Sequence, residues 1–156
     1  MIFLEIIKVK KNKKLYLDLL LLADEQENMI DKYLEAGEMF VLNDNGIKAE
    51  CVVLKISAED YELKNIAVDP AFHRQGYGKK LMDFVCDFYK DKNLYVGTGD
   101  SKITIPFYEK CGFTKSHIIK NFFVDNYSHP IFEDDTQMID MIYLKKCSNA
   151  CNGINE

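Results

Sequence analysis

Two glycines in the middle of the chain, Gly76 and Gly78, separate an apolar run from a segment with the period of a helix. The apolar run ends at Val68 and has the β-branched composition of a strand. A strand, a short loop and a helix N-terminus gather backbone N–H groups around one point, where the helix dipole adds positive potential. The spacing therefore predicts an anion site at residues 66–81.

Two common phosphate motifs are absent from this loop. A Walker loop needs a glycine five positions before its Gly-Lys pair and Ser or Thr after it, but His73 and Lys80 occupy those places. A dinucleotide fingerprint needs a third glycine three residues after the second, where this chain has Leu81. What remains is a Gly-x-Gly turn at the start of a helix, which is a weak signal in isolation.

Cations surround this turn. Arg74, Lys79 and Lys80 lie in or beside the first turn of the predicted helix, next to His73. Each cation at a helix N-terminus destabilises the helix by about 0.3–1 kcal/mol, because the helix dipole is positive there. A bound polyanion would make the interaction of these cations with the site favourable. Ordinary surface lysines are the alternative interpretation.

Two blocks of the sequence resemble the GNAT superfamily of N-acetyltransferases. Ile66-Ala67-Val68 followed by Arg74-Gln75-Gly76-Tyr77-Gly78-Lys79 is similar to the acetyl-CoA motif of that family. The family pattern begins with Gln or Arg, so His73 in that place is a departure. Ile105-Pro106-Phe107-Tyr108-Glu109-Lys110-Cys111-Gly112-Phe113 resembles the family segment that precedes its sixth strand. The two blocks stand in the family's order, and the resemblance extends to about residue 145.

The resemblance implies acetyl-CoA as co-substrate and no metal. The pyrophosphate of CoA would bind the backbone amides of residues 74–79, where Gly76 and Gly78 leave room for it. The pantetheine arm would pair with the backbone at Ile66 and Val68, and the Val68 N–H would polarise the thioester carbonyl. The implied cofactor-binding residues are Ile66, Ala67, Val68, Arg74, Gln75, Gly76, Tyr77, Gly78 and Lys79.

Tyr108 and Glu62 are the catalytic candidates within that mechanism. Tyr108 would protonate the CoA thiolate, with a modest effect because a thiol of pKa about 8.5 leaves readily. Glu62 would take the proton of the amine, directly or through water. The alternatives are a core aromatic for Tyr108 and a surface carboxylate for Glu62. Asn65 lies on the same predicted strand as Glu62, and its side chain faces either the acceptor cleft or the opposite side of the sheet, because strand side chains alternate.

Composition indicates one acidic domain with a sizeable core. The chain has 156 residues, 47% of them hydrophobic, with a net charge of −5 and a pI near 5.3. Nucleic-acid binding is not expected, because it needs a basic face. No apolar run approaches the roughly 20 residues that span a bilayer, and the N-terminus lacks a signal-peptide pattern. Five cysteines without a pairing framework favour the reducing cytoplasm.

The element order is that of a mixed α/β fold. Strands are expected at residues 2–9, 39–42, 49–56, 63–68, 94–96, 113–124 and 138–144; helices at 15–22, 27–36, 77–91 and 103–110; and a polar loop at 126–136. With the resemblance, this predicts an α/β (α+β) single-domain GNAT fold: a mixed, mostly antiparallel sheet of about seven strands flanked by four helices. That domain would span residues 1–145, and residues 146–156 would form a polar, frayed tail.

Three weaker constellations have plain structural alternatives. Cys147 and Cys151 lack a matching His pair for zinc, and Cys111 with His117 is a remote candidate for a nucleophile pair. The acidic loop at residues 133–135 is either a solvated loop or an attractor for a cationic acceptor.

Together, these observations predict an N-acetyltransferase. It would move the acetyl group of acetyl-CoA to a primary amine of a small molecule or peptide, by direct attack in a ternary complex. The alternative is a non-catalytic acyl-CoA-binding or regulatory module on the same fold, and a third is a nucleotide-binding protein of another fold. The last strands are compatible with a homodimer. Residues 15–36 and 126–136, which would contact the acceptor, carry no signature that identifies it.

Overall fold

The computed structural model of the protein describes residues 4–149. Within that range it has nine strands, five α-helices and two 3-10 turns. The strands are β1 (Leu4–Val9), β2 (Glu38–Asp44), β3 (Ile47–Lys55), β4 (Asp60–Val68), β5 (Asn93–Thr98), β6 (Thr114–Ile119), β7 (Ile131–Glu133), β8 (Thr136–Met138) and β9 (Met141–Lys146). The helices are α1 (Leu17–Ala23), α2 (Glu27–Ile30), α3 (Tyr77–Phe88), α4 (Thr104–Lys110) and α5 (Phe122–Asn126), and the 3-10 turns are Lys13–Tyr16 and Pro70–Phe72.

Seven strands form one sheet in the order β1-β2-β3-β4-β5-β9-β6, and β7 and β8 form a separate hairpin. Neighbouring strands of the sheet are antiparallel except for the parallel pair β4 and β5. The predicted mixed, mostly antiparallel sheet of seven strands is therefore confirmed. The five helices in the described range exceed the four expected, because α5 lies where a strand was predicted.

β4 and β5 stay together for only part of their length. Their pairing ends at Leu63 opposite Val96, whereas β4 remains paired to β3 as far as Val68. The register shifts at this point, and Lys64 is the extra residue of a β-bulge in β4. A bulge bends its strand and increases its twist, so β4 turns away from β5 here.

Two apolar cores lie on opposite faces of the sheet. One packs the sheet against α3 and α4 and includes Leu81 and Phe113. The other packs it against α1 and α2 and includes Leu20 and Leu34. Successive side chains of β3 enter different cores, as a strand requires: Cys51 belongs to the first and Val52 to the second.

The hairpin between β2 and β3 has the turn that its sequence predicts. Asn45 and Gly46 both have positive φ, at 56° and 114°, and the Asp44 N–H donates to the Gly46 carbonyl at 2.9 Å. Asn and Gly tolerate that conformation, so a tight turn closes the hairpin.

The region after β6 differs from the prediction. Residues 113–124 were expected as one strand, but β6 ends at Ile119 and α5 begins at Phe122. Asn121 has a left-handed φ of 58°, and its N–H donates to Asp140 Oδ1 at 2.9 Å. That hydrogen bond stabilises a turn at Asn121, so a strand cannot continue through this residue.

Two more predicted elements are divided. The expected helix at residues 27–36 is regular only over Glu27–Ile30 and continues as turns in which Tyr33 N–H donates to the Ile30 carbonyl at 3.1 Å. The expected strand at residues 138–144 is split between β8 and β9, and the predicted loop at residues 126–136 contains β7.

The end of the described chain packs against the domain. The Ser148 N–H donates to Asn93 Oδ1 at 3.1 Å, and the Asn149 N–H donates to the Lys90 carbonyl at 2.8 Å. The remainder of the predicted tail, including Cys151, lies outside the described residues. No helix within residues 4–149 has the length and apolar character needed to cross a membrane.

Candidate active site

Side-chain bonds fix the loop that follows β4. The Asp69 carboxylate accepts a hydrogen bond from the Ala71 N–H at 3.0 Å, and the Asp69 N–H donates to the Lys48 carbonyl at 2.8 Å. His73 Nε2 lies 3.0 Å from the carbonyl oxygen of Val68. The histidine that departs from the family pattern therefore ties the loop to the end of β4.

The backbone of this loop is left-handed twice before α3 begins. Arg74 has a φ of 65° and Gly76, the N-cap of α3, a φ of 84°. Left-handed backbone costs a residue with a side chain about 1–2 kcal/mol, and such strain is characteristic of ligand-binding loops. Arg74, Gln75 and Lys79 are exposed around the start of the helix.

Tyr77 differs from its neighbours because its side chain belongs to the core. It is 7% exposed, and its hydroxyl donates to Asp44 Oδ2 at 2.7 Å. Only its backbone is therefore available at the loop surface. Lys79 is paired with Asp83 one turn along the helix, an exposed pair of small energetic value.

The two glycines are required for different reasons. At Gly76 the positive φ excludes most side chains although nothing lies within 4 Å. At Gly78 the helix is regular, and a Cβ would meet only Val68 Cγ2 at the ordinary distance of 3.6 Å. Packing within the protein therefore does not explain Gly78, whereas a ligand approaching the backbone would.

The open edge of β4 leads from this loop into a cleft. Ile66, Ala67 and Val68 follow the point where β5 departs, so their backbone lacks a strand partner on that side within the described residues. Ile66 and Val68 are half-buried on the α3 side, and Ala67 is 8% exposed. Free backbone at a sheet edge can pair with an extended ligand.

The cleft has a volume of about 680 Å³ and passes through the gap between the two strands. Ile66 and Tyr108 pack with the core on the α3 side, whereas Tyr33 and Asn65 lie on the α1 side, yet all four line this one cleft. Ligands entering from opposite faces of the sheet could therefore meet within it.

Tyr108 is a buried residue that lines this cleft. Its ring packs against Phe107 and Phe113, with centroids 5.5 and 5.8 Å away. Its hydroxyl forms no hydrogen bond with any residue of the described range. Burial raises the pKa of Tyr108 above its ordinary value, so the hydroxyl stays protonated at neutral pH.

Glu62 lines the same cleft on the α1 side. Its Oε2 accepts hydrogen bonds from the Tyr143 hydroxyl at 2.9 Å and from Lys64 Nζ at 3.2 Å. The Glu62 side chain is 13% exposed, so it is not the plain surface carboxylate of the alternative interpretation. Two donors on one oxygen hold the carboxylate in place and leave Oε1 without a described protein donor.

Two members of the weaker constellations, Glu133 and His117, make contacts within the fold. Ser101 caps α4 by accepting from the Thr104 N–H at 2.8 Å, and it donates to Glu133 at 2.7 Å. The His117 ring stacks on Tyr143 at 4.7 Å. Within residues 4–149 no group of three His, Cys, Asp or Glu is arranged to hold a metal.

Comparison with known proteins identifies this arrangement. A family model described as an acetyltransferase (GNAT) domain matches residues 35–115, from the turns after α2 to the start of β6. The chain belongs to the GNAT acetyltransferase family. An uncharacterized N-acetyltransferase of Bacillus subtilis (strain 168), YvbK, is 36% identical to it over 138 residues, which are 85% of this chain and 88% of that protein.

Solved GNAT structures share the fold. A GNAT family acetyltransferase from Elizabethkingia anophelis with acetyl-CoA bound is 38% identical, with a TM-score of 0.84 over 92% of this chain and 97% of that chain. A Bacillus subtilis acetyltransferase in complex with CoA is 32% identical, with a TM-score of 0.81 over 93% of this chain and 99% of that chain. This GNAT protein is therefore an acetyl-CoA-dependent N-acetyltransferase, and acetyl-CoA is its co-substrate.

Sequence reasoning missed one part of the acetyltransferase cleft. Asp24 accepts hydrogen bonds from the Tyr33 hydroxyl at 3.0 Å and from the Tyr127 hydroxyl at 2.7 Å, and Asn65 Nδ2 donates to the Tyr33 oxygen at 3.1 Å. These residues come from the position after α1, the position after α5, β4 and the turns after α2. No local pattern announces such a network, because Asp24 and Tyr127 are 103 residues apart in the chain.

Proposed function

We propose that this acetyltransferase transfers the acetyl group to a primary amine of a small molecule or peptide, by direct attack within a ternary complex. One observation carries the proposal: a single cleft runs through the gap between β4 and β5, and it is lined by Ile66 on the α3 side of the sheet and by Glu62 on the α1 side. Such a cleft lets the two substrates approach from opposite faces without an acyl-enzyme intermediate.

The proposed cofactor site combines the loop and the open strand. The pyrophosphate would bind the N–H groups of residues 74–79 at the start of α3, where the helix dipole favours an anion. Gly78 supports this because a side chain there would obstruct the ligand rather than the protein. The pantetheine arm would lie along Ile66 and Val68, with Ala67 between them, and the Val68 N–H would stabilise the oxyanion.

The proposed chemistry needs one acid and one base. The amine nitrogen attacks the thioester carbonyl carbon, and the C–S bond breaks as the tetrahedral intermediate collapses. Glu62 accepts the proton that the nitrogen loses, directly or through water, and Tyr108 donates its hydroxyl proton to the departing thiolate. The geometry supports these roles, because both side chains line the cleft and the hydroxyl of Tyr108 has no described protein partner.

The direct test is release of free CoA. Purified protein is incubated with acetyl-CoA and a panel of polyamines, aminoglycosides, amino acids and peptides, and thiol is followed with a chromogenic disulfide. Turnover with at least one amine is expected, with the acetylated nitrogen identified by mass spectrometry. Tight CoA binding with no turnover on any amine would favour the non-catalytic module instead, and stronger binding of ATP or NAD than of CoA would contradict the cofactor site.

The remaining expectations concern assembly and compartment. We propose a homodimer through the last strands, supported by β6, which is an end strand of the sheet with exposed side chains. Sedimentation equilibrium measures it directly. A reducing cytoplasmic location is supported by the four described cysteines, Cys51, Cys86, Cys111 and Cys147, all of which are free thiols.

A further inference from the structure

Asp24 is a carboxylate of the cleft whose charge no protein cation balances. It lies at the end of α1 and lines the cleft. Its two described partners are the neutral hydroxyls of Tyr33 and Tyr127, and no Lys, Arg or His in residues 4–149 forms an ion pair with it. A carboxylate has about four acceptor positions, so two donors leave it able to bind a further cation.

The hydroxyls also fix the orientation of Asp24. Tyr33 is 4% exposed, and its oxygen is held in turn by Asn65 Nδ2 at 3.1 Å. Tyr127 is stacked on Phe123, with ring centroids 5.8 Å apart. A ligand ammonium would therefore meet a carboxylate that is already in place, which reduces the entropic cost of binding it.

The second observation is a buried polar atom beside this network. Asn65 is 3% exposed and lines the cleft, and its Oδ1 has no hydrogen-bond partner within the described residues. A buried acceptor that lost its water on folding and gained no donor destabilises the protein. The ammonium group of a bound ligand would supply the donor that Asn65 Oδ1 lacks, either directly or through a water molecule held between them.

The surroundings suit a cation. Carboxylates outnumber ammonium groups among the described residues that line the cleft, which are Asp24, Glu25, Glu62 and Glu133 against Lys32 and Lys64. Lys64 is already paired with Glu62 at 3.2 Å, and its ammonium lies 5.5 Å from the centre of the Tyr33 ring.

Asp24 and Glu62 are held by different donors. Glu62 takes its hydrogen bonds from Tyr143 and Lys64, whereas Asp24 takes its own from Tyr33 and Tyr127. We propose that the acceptor is a small molecule with two amino groups, and that Asp24 binds the ammonium that is not acetylated. This inference rests on the proposed function, since it names the acceptor class of the same cleft.

The experiment compares acceptors that differ only at the far end. Rates are measured for α,ω-diamines of three to six carbons, for butylamine and for 4-aminobutyrate. We expect 1,4-diaminobutane or another diamine of the series to exceed butylamine in kcat/KM by about 10-fold or more, the scale of one hydrogen bond to a charged group. 4-Aminobutyrate should be the poorest, because its carboxylate faces Asp24.

Variants test whether Asp24 causes the preference. Asp24→Asn keeps the shape and should reduce the diamine rate to within about 2-fold of the butylamine rate, mainly through KM, so the loss is larger for the diamine than for butylamine. Tyr127→Phe keeps the carboxylate and should lose part of the preference. Asp31→Asn is the matched control, an exposed acid paired with Lys14 outside the cleft. CoA affinity and circular dichroism report the fold of each variant.

The outcomes separate the two proposals. Equal rates for diamines and butylamine, or equal losses for both in Asp24→Asn, would overturn the diamine site and leave the acetyltransferase reaction intact. A diamine preference that Asp24→Asn leaves unchanged would also overturn it. Absence of transfer to any amine would instead refute the proposed function and the diamine site with it.

Discussion

The hydroxyl of Tyr143 on β9 donates a hydrogen bond of 2.9 Å to Glu62 Oε2 on β4, passing across β5, which lies between those strands. Burial and the neighbouring carboxylate raise the pKa of Tyr143 above its ordinary value, so the phenol remains a donor at neutral pH. Glu62 is thereby held at the cleft by a residue 81 positions away in the chain.

Removing that hydroxyl should loosen the proposed base. In Tyr143→Phe we expect a loss of about 1–2 kcal/mol in the free energy of unfolding, because a hydrogen bond to a charged group is lost. We also expect a severalfold lower kcat with unchanged CoA affinity. Urea unfolding and steady-state kinetics measure the two effects. Tyr61→Phe is the control, since Tyr61 packs against Tyr89 outside the cleft; an equal fall in its kcat would contradict the role of Tyr143.

Glu62→Gln tests the proposed base directly. The amide keeps the size of the side chain but cannot accept a proton, so kcat/KM should fall by about 100-fold or more, with CoA affinity unchanged. Glu59→Gln is a matched exposed control, since Glu59 is 71% exposed near Lys92. Activity of Glu62→Gln within twofold of wild type would assign the proton to water alone.

Tyr108→Phe tests the proposed acid, and a small effect is expected. A thiol of pKa about 8.5 leaves with little assistance, so kcat should fall by less than about 10-fold. Burial keeps the pKa of Tyr108 above its ordinary value of 10.0. Loss of the Tyr108 proton should therefore not lower the kcat of the wild type below pH 10.0. An unchanged kcat in Tyr108→Phe would instead indicate that Tyr108 has a purely structural role.

Substitutions at the two glycines should separate ligand from backbone effects. Gly78→Ala should raise the free energy of unfolding by about 0.5–1 kcal/mol, because alanine favours a helix and its Cβ has room, yet it should weaken CoA binding. Gly78→Glu should abolish CoA binding with the fold intact. Gly76→Ala should instead destabilise the protein by about 1 kcal/mol, because its φ is 84°. Calorimetry measures the affinity of each variant for CoA. An unchanged affinity in Gly78→Glu would contradict the assignment of this loop as the pyrophosphate site.

Glu50 should make stability depend on pH. It is 0% exposed in β3, neither carboxylate oxygen has a partner in the described residues, and burial raises its pKa well above 4.5. The folded state therefore binds a proton that the unfolded state releases, so its contribution is complete below pH 4.5 and is lost as pH rises toward the folded pKa. Glu50→Gln should flatten this slope and stabilise the protein at neutral pH. Urea midpoints from pH 5 to pH 9 measure it, and an equal slope in the variant would contradict it.

The sequence was most informative where neighbours along the chain determine the structure. The Asn45-Gly46 turn and the start of α3 after Gly76 follow from backbone preferences, and their predictions agree with the fold. The prediction was wrong where one distant contact decided the local conformation. After β6 the Asn121 N–H donates to Asp140 Oδ1 and holds a turn, and no property of residues 113–124 reveals that partner.

By itself, the sequence carried the resemblance to the family in two short blocks, and local spacing and apolar periodicity predicted the strand, loop and helix around Gly76. Only the tertiary structure decided where the cleft lies and which side chains face it. The gap between β4 and β5 exists because Leu63 is the last residue of β4 that pairs with β5. The orientation of the Asp24 carboxylate depends on its hydrogen bonds from Tyr33 and Tyr127. These relations join residues far apart in the chain, and they exist only when packing of the sheet and helices brings those residues together.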